Sequence, residues 1–183
     1  MAVSNALFDP DLISPEAKAA FPEGYTIRPL QRGDYGKGFF ECLSVLTYVG
    51  NVSEERFLER FDWMATQGKG IHYFLVIEHD GQIVGTGTLV VERKLVSGFL
   101  SIHDLGTVAH VEEVSIRKEY QSKGLGLKLL NALSSVAKSV GCYKSKLGCS
   151  EANEAFYVKC GYEKGGRVMS EDYEGPKPAY ERG

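Results

Sequence analysis

Residues 121–126 read Gln-Ser-Lys-Gly-Leu-Gly. They stand between a run that alternates polar and apolar residues (109–117) and a run with helical spacing (127–140). Two glycines at a strand-to-helix junction let the backbone turn tightly and approach a ligand with no Cβ in the way. The first N–H groups of the helix have no internal partners and lie at the positive end of its dipole. Such a turn can seat a phosphate or pyrophosphate. A glycine pair before a helix also serves as a plain turn or a helix-packing site, so the loop alone does not choose. Two known phosphate loops are excluded. A Walker loop ends in Gly-Lys-Ser/Thr, whereas Gly126 is followed by Leu127 and Lys128. A dinucleotide fold has a third glycine three positions on, where this chain has Leu129.

The rest of the chain must position that turn. At 183 residues, with a net charge of -3 and 43% hydrophobic residues, it is long enough for one domain with a core and has an ordinary globular balance. Basic residues are scattered, which argues against nucleic acid, and no apolar run has the length of a membrane span. The first residues lack the basic-then-apolar pattern of a signal peptide. Cys42, Cys142, Cys149 and Cys160 have no C-x-x-C spacing and read as reduced thiols of a cytoplasmic protein. His72, His79, His103 and His110 lack paired ligand spacing, so no metal site is expected.

Hydrophobic periodicity then gives the element order. Residues 1–24, with three X-Pro steps, read as an irregular N-terminal arm. A strand is expected over 25–30. Asp34 is a candidate cap for a helix to about 49, with Phe39, Phe40, Leu43, Leu46 and Thr47 inward. Ser53 caps a second helix, with Phe57, Phe61 and Met64 at core spacing. Strands at 72–78 and 83–93 flank the Asp-Gly turn signal at 80–81. Residues 94–108 read as a long loop. A central strand at 109–117 leads through the glycine turn to the helix, whose stripe is Leu125, Leu129, Leu133, Val136 and Val140. Gly141 stops it. A strand at 142–149, a short helix from Glu151 capped by Ser150, a last strand at 162–169 and a polar tail (170–183) complete the chain. The order β-α-α-β-β-β-α-β-α-β predicts an α/β fold, a curved, mostly antiparallel mixed sheet flanked by helices. Its strand–helix–strand crossover after 109 should be right-handed, with a parallel pair.

This order, with Gln-x-x-Gly-x-Gly opening the long helix, resembles the GNAT superfamily of acetyl-CoA-dependent N-acetyltransferases, and within it the glucosamine-6-phosphate acetyltransferases. The stretches that carry the likeness are Leu46-Thr47 with Gly50, Val91-Glu92-Arg93-Lys94, and His110-Val111-Glu112-Glu113-Val114. It continues through Gly124 and Gly126, Gly141-Cys142-Tyr143-Lys144, and Asn153 with Phe156-Tyr157 and Cys160-Gly161-Tyr162. The likeness covers roughly 25–169, the expected catalytic domain, and implies the GNAT acyl-CoA N-acyltransferase fold.

The resemblance implies roles. Amides of Gln121, Ser122, Lys123, Gly124, Leu125, Gly126 and Leu127 would hold the pyrophosphate of coenzyme A. The edge backbone of Val114, Ser115 and Ile116 would pair with its pantetheine arm as an added strand. Asn153 would touch the cofactor near the thioester, and Tyr157 would stand near the sulfur. Thr47, Lys94, Glu112, Glu113, Tyr143 and Lys144 would line the pocket for an amino-sugar phosphate, the lysines suiting its phosphate. No metal is implied. A cytoplasmic homodimer that exchanges C-terminal strands and feeds UDP-N-acetylglucosamine synthesis is.

The residue types agree with that chemistry. Amine attack on a thioester needs a proton acceptor, and Glu112 or Glu113 could serve. A strand amide near Val114 could stabilise the oxygen that becomes charged. A departing thiol, of ordinary pKa about 8.5, needs only modest help from a phenol such as Tyr157. Each of these residues could equally be a core or surface residue. Three positions depart from the family pattern: Gly148 stands where an acid precedes Cys149, Leu95-Val96-Ser97 follow Lys94, and the C-terminus is extended. All lie on the acceptor side. They leave open another amine (unphosphorylated glucosamine, a polyamine, a protein lysine) or a non-catalytic acetyl-CoA-binding module.

Overall fold

The protein is described by a computed structural model over residues 5–95, 106–166, 168 and 169. One five-stranded sheet runs in chain order: β1 (Tyr25–Pro29), β2 (His72–His79), β3 (Gln82–Arg93), β4 (Thr107–Ile116) and β5 (Lys144–Lys146). The first three pairings are antiparallel and β4 with β5 is parallel. The helices are α1 (Pro15–Ala19), α2 (Phe39–Leu43), α3 (Glu54–Ala65), α4 (Leu125–Ser139) and α5 (Glu151–Lys159).

The sheet separates two apolar clusters. On one face α4 buries Leu125, Leu129, Leu133 and Val136 against Leu75, Leu89, Ala109 and Val111. It comes close enough that a Cβ on Gly87 would lie 2.9 Å from a Leu133 methyl. On the other face α2 and α3 set Phe39, Leu43, Phe57, Phe61 and Met64 against Val76 and Ile83. Ser53 caps α3 as expected, accepting from the Arg56 amide at 3.3 Å.

Several local expectations are corrected. Residues 5–24 are packed into the body: Leu7, Ile13, Ala17 and Phe21 are buried and the Leu7 amide bonds Leu30 O at 2.9 Å. The helix expected over 34–49 is a 3₁₀ turn (Tyr35–Lys37) and five residues of α2, because Gly38 takes a left-handed φ of 81° between them. Asp34 caps nothing. Its buried carboxylate instead takes the guanidinium fork of Arg28 at 2.7 and 2.8 Å, which satisfies two charges that could not be buried alone. At the sheet edge β5 pairs for only three residues, and 162–166 form no strand, since no neighbouring strand of the chain lies beside them among the described residues. Ser150 stands at the N-cap of α5 without a side-chain bond to the helix.

Candidate active site

In a regular strand Glu112 and Glu113 would point to opposite faces. They do not here, because β4 carries a bulge. Thr86 pairs with Ser115 and Thr88 with Glu112, so Gly87 alone faces both Glu113 and Val114. Glu113 absorbs the extra residue at a positive φ of 55°. Its carboxylate accepts from the Thr88 hydroxyl at 2.9 Å, on the face that Thr88 shares with Glu112. Val114, beyond the bulge, turns to the α4 side and packs against that core. Residue 113 is exposed as a whole, but its carboxyl rests against the sheet. Burial pushes its pKa up, the Thr88 bond opposes this, and the neighbouring Glu112 charge adds to the rise.

The bulge also parts β4 from β5. Their pairing ends at His110 with Lys146, so residues 111–116 have no strand beside them on that edge among the described residues. The Arg117 amide donates to Val84 O at 2.9 Å, toward β3. Alternation therefore turns the Ile116 amide and carbonyl outward. Gln121 Nε2 donates to that carbonyl at 2.9 Å and closes the far end of the open edge. On the opposite side Ser115 is buried, its hydroxyl donating to Cys42 O of α2 at 2.7 Å, while the Cys42 thiol reaches Ser115 O at 3.8 Å.

Past a 3₁₀ turn (Lys118–Tyr120), Ser122 and the N-cap Gly124 both take positive φ, 61° and 73°. No side chain caps α4, and the amides of residues 122–127 have no acceptor among the described residues. The turn expected to seat a pyrophosphate therefore presents unpaired amides among the described residues. Gly126 lies against α5, where an added Cβ would sit 3.1 Å from Phe156 Cζ. Lys123 stands with its ammonium 4.8 Å from the Tyr120 ring centre. Opposite, α5 carries Asn153 in its exposed first turn and Tyr157 half-buried against the α4 core. Tyr157 packs edge-on to Phe156 and Tyr162. Burial raises its pKa, and Cys149, Cys160 and Glu112 add to the rise, so it is a protonated phenol within electrostatic reach of Glu112.

The acceptor-side residues are spread over one face. Glu92 pairs in register with Val108 and Val108 with Lys144, while His110 pairs with Lys146. Lys94 lies at the end of β3 with its ammonium on Glu92 Oε1 at 2.9 Å. Lys144 leans over the Tyr143 ring, 5.3 Å from its centre. The two lysines thus share a face without meeting in one ion pair. Thr47 is exposed beyond α2. Gly148 is exposed, and residues 96–105 of the long loop and the tail from 170 lie outside the described residues. Sequence reasoning did not single out Thr88, Cys42, Glu92 or His110, whose side chains the structure bonds to Glu113, Ser115, Lys94 and Glu92. The Glu-x-Lys spacing on a strand was the one available signal, since it sets both side chains on one face.

The profile of the acetyltransferase (GNAT) family matches residues 38–162. The chain is 41% identical over 148 residues to the glucosamine 6-phosphate N-acetyltransferase of Candida albicans, covering 81% of this chain and 95% of that one. It is 37% identical over 151 residues to glucosamine 6-phosphate N-acetyltransferase 1 of Dictyostelium discoideum, covering 81% and 90%. Its fold superposes on the crystal structure of glucosamine-6-phosphate N-acetyltransferase from Arabidopsis thaliana with a TM-score of 0.75 at 37% identity, over 83% of this chain and all of that one.

Proposed function

The chain belongs to the acetyltransferase (GNAT) family, and on that premise we propose that it transfers the acetyl group of acetyl-CoA to the amine of D-glucosamine 6-phosphate. The observation that carries the reading is the polarity of one sheet face. Glu112 and Glu113 stand together at the bulge, and Lys94, Lys144 and Lys146 lie farther back on the same face. One same-face step along β4, from Glu112 to His110, is about 7 Å. That is the order of a hexose ring, so a sugar with a cationic amine and an anionic phosphate has one favourable orientation. The names of the relatives agree with it.

Acetyl-CoA, when bound, supplies a thioester activated for attack by an amine. The chain fits it: the amides of Ser122, Lys123, Gly124, Leu125, Gly126 and Leu127 would hold its pyrophosphate, and the open edge at Val114 and Ile116 its pantetheine amides. Glu113 accepts the proton of the amine, its raised pKa making it a stronger base than an ordinary carboxylate. The Val114 amide donates to the oxygen that gains charge. Tyr157 donates to the departing sulfur, and Asn153 fixes the cofactor nearby. Glu112, Thr47, Tyr143, Lys94 and Lys144 hold the sugar. Transfer is by direct attack, in a ternary complex.

The product feeds UDP-N-acetylglucosamine synthesis in the cytoplasm. No helix among the described residues is long and apolar enough to cross a membrane. The chain works as a homodimer. Val158, Val168 and Met169 are exposed, and 162–166 find no strand beside them among the described residues, which supports a second copy at this edge. Ultracentrifugation at assay concentration tests it; a monomer rules it out.

The test of the activity is thiol release from acetyl-CoA with glucosamine 6-phosphate, against glucosamine, a polyamine and a lysine peptide. No release at millimolar sugar phosphate rejects the acceptor. One observation favours a second reading: Gly148, exposed, stands where the resemblance places an acid. A preference for another amine in the same panel establishes that reading instead.

A further inference from the structure

Glu92 has no part in the chemistry above, yet it is the most connected side chain on the acceptor face. Each of its carboxylate oxygens has its own partner. Oε1 takes the Lys94 ammonium at 2.9 Å, and Oε2 meets His110 Nε2 at 2.9 Å. Lys94 is two residues along β3 and His110 is across on β4, so the carboxylate clips two strands together at the rim of the sheet. An ionised carboxylate only accepts, so His110 must carry its proton on Nε2, and Glu92 thereby fixes the ring's tautomer. The ammonium has three donors and Glu92 uses one, which leaves two for an anion.

The surroundings say what that anion is. The rows next to Glu92 present Lys144 and Lys146. Lys94 is bonded to Glu92, and register places two further lysines (Lys144, Lys146) at the same end of the sheet, so three cations share this end with one Glu92 carboxylate. A lysine chain on a solvated sheet otherwise samples many rotamers, and ordering it costs free energy on binding. The clip settles that cost in advance.

We propose that Glu92 is a specificity-determining positioning residue, which braces against the His110 ring across the strands and holds the Lys94 ammonium in the posture that receives the phosphate of the acceptor sugar. The proposal rests on glucosamine 6-phosphate being the acceptor. The Glu92 side chain is 43% exposed, and its hydrogen bonds with Lys94 and His110 hold the carboxyl at a pKa of about 2.

The experiment compares the wild type with Glu92→Gln on glucosamine 6-phosphate and on unphosphorylated glucosamine, with KM for acetyl-CoA measured alongside. An amide keeps the size but cannot accept on both arms. Glu92→Gln is expected to raise KM for the sugar phosphate about tenfold. It should leave kcat, the acetyl-CoA KM and kcat/KM for glucosamine near their wild-type values. The preference for the phosphorylated sugar then falls about tenfold. An unchanged preference, or a lower KM because Glu92 competes with the phosphate for Lys94, overturns the proposal. An equal loss on both sugars also overturns it, since that is a structural effect. Glu92→Asp, which keeps the charge but shortens the reach, replaces Glu92→Gln under the same criteria if the latter does not fold. A wild type that releases no thiol with the sugar phosphate removes the function and this inference together. An active wild type with an unchanged preference removes the inference alone.

Discussion

The hydroxyl of Thr88 on β3 donates to the carboxylate of Glu113 on β4 at 2.9 Å, across a bulge that turns Glu113 onto the same face as Glu112. The bond lowers a pKa that burial raises. Proton acceptance needs the ionised carboxylate, so the rate falls as pH drops through that pKa. Thr88→Val, which keeps the shape and removes the donor, is expected to move the acid limb of the kcat/KM profile to higher pH. An unmoved limb assigns the base elsewhere.

Glu113→Gln should separate activity from stability. Loss of a general base costs on the order of 10²–10⁴ in kcat. A carboxyl with a raised folded pKa favours folding at low pH and loses that contribution as pH rises through the folded value. At neutral pH the ionised group is thus a burden, and its amide should melt no lower than the wild type. Paired rate and thermal-melt measurements check both halves.

Tyr157→Phe removes the phenol proton and keeps the ring contacts with Phe156 and Tyr162. A thiolate is a fair leaving group, so the loss should sit near the low end for an acid, about 10²-fold in kcat, with both KM values kept. Because burial raises its pKa, Tyr157 stays protonated at neutral pH and adds no basic limb below the ordinary phenol range. A changed acetyl-CoA KM with unchanged kcat would mean that the ring only packs.

Gly124→Ala places a side chain at a φ of 73°, in open space. The expected cost is conformational, about 1–2 kcal/mol, and it falls on the turn that aims the α4 amides. The predicted signature is a raised KM for acetyl-CoA with little change in KM for the sugar, read by initial rates.

Asp34→Asn tests the core independently of catalysis. Arg28 keeps Glu78 but loses its buried fork, so the loss should be about 3 kcal/mol, seen as a lower denaturation midpoint with kcat unchanged. Burial pushes the Glu78 carboxyl up, but Arg28 and Lys37 more than offset it and leave its pKa low. Stability from this pair is therefore present above the ordinary carboxylate range and fades as pH falls through the lowered value. Chemical denaturation across that range follows it.

Local pattern was enough for much of this molecule. The stripe of α4, the Ser53 cap and the turn at 80–81 depend on neighbours within a few residues and formed where the spacing predicted, while the helix expected from Leu127 begins two residues earlier, at Leu125, with Gly126 inside its first turn. The same locality misled at Asp34, whose capping signal was outweighed by a guanidinium from a different element. It misled again at 162–166, because a strand pattern needs a partner strand and none lies beside these residues among the described ones.

From the sequence alone came the glycine turn expected to seat a phosphate, the α/β order and the residue types able to move a proton, since these are set by short-range spacing. Which of those residues share a face was decided only by the tertiary structure. The bulge opposite Gly87 and the register of β3 on β4 bring Thr88 to Glu113 and Glu92 to Lys94 and His110. Register and bulges are properties of two strands together, fixed by how both pack on α4 and α2, and a one-residue shift would send each carboxylate to the other side.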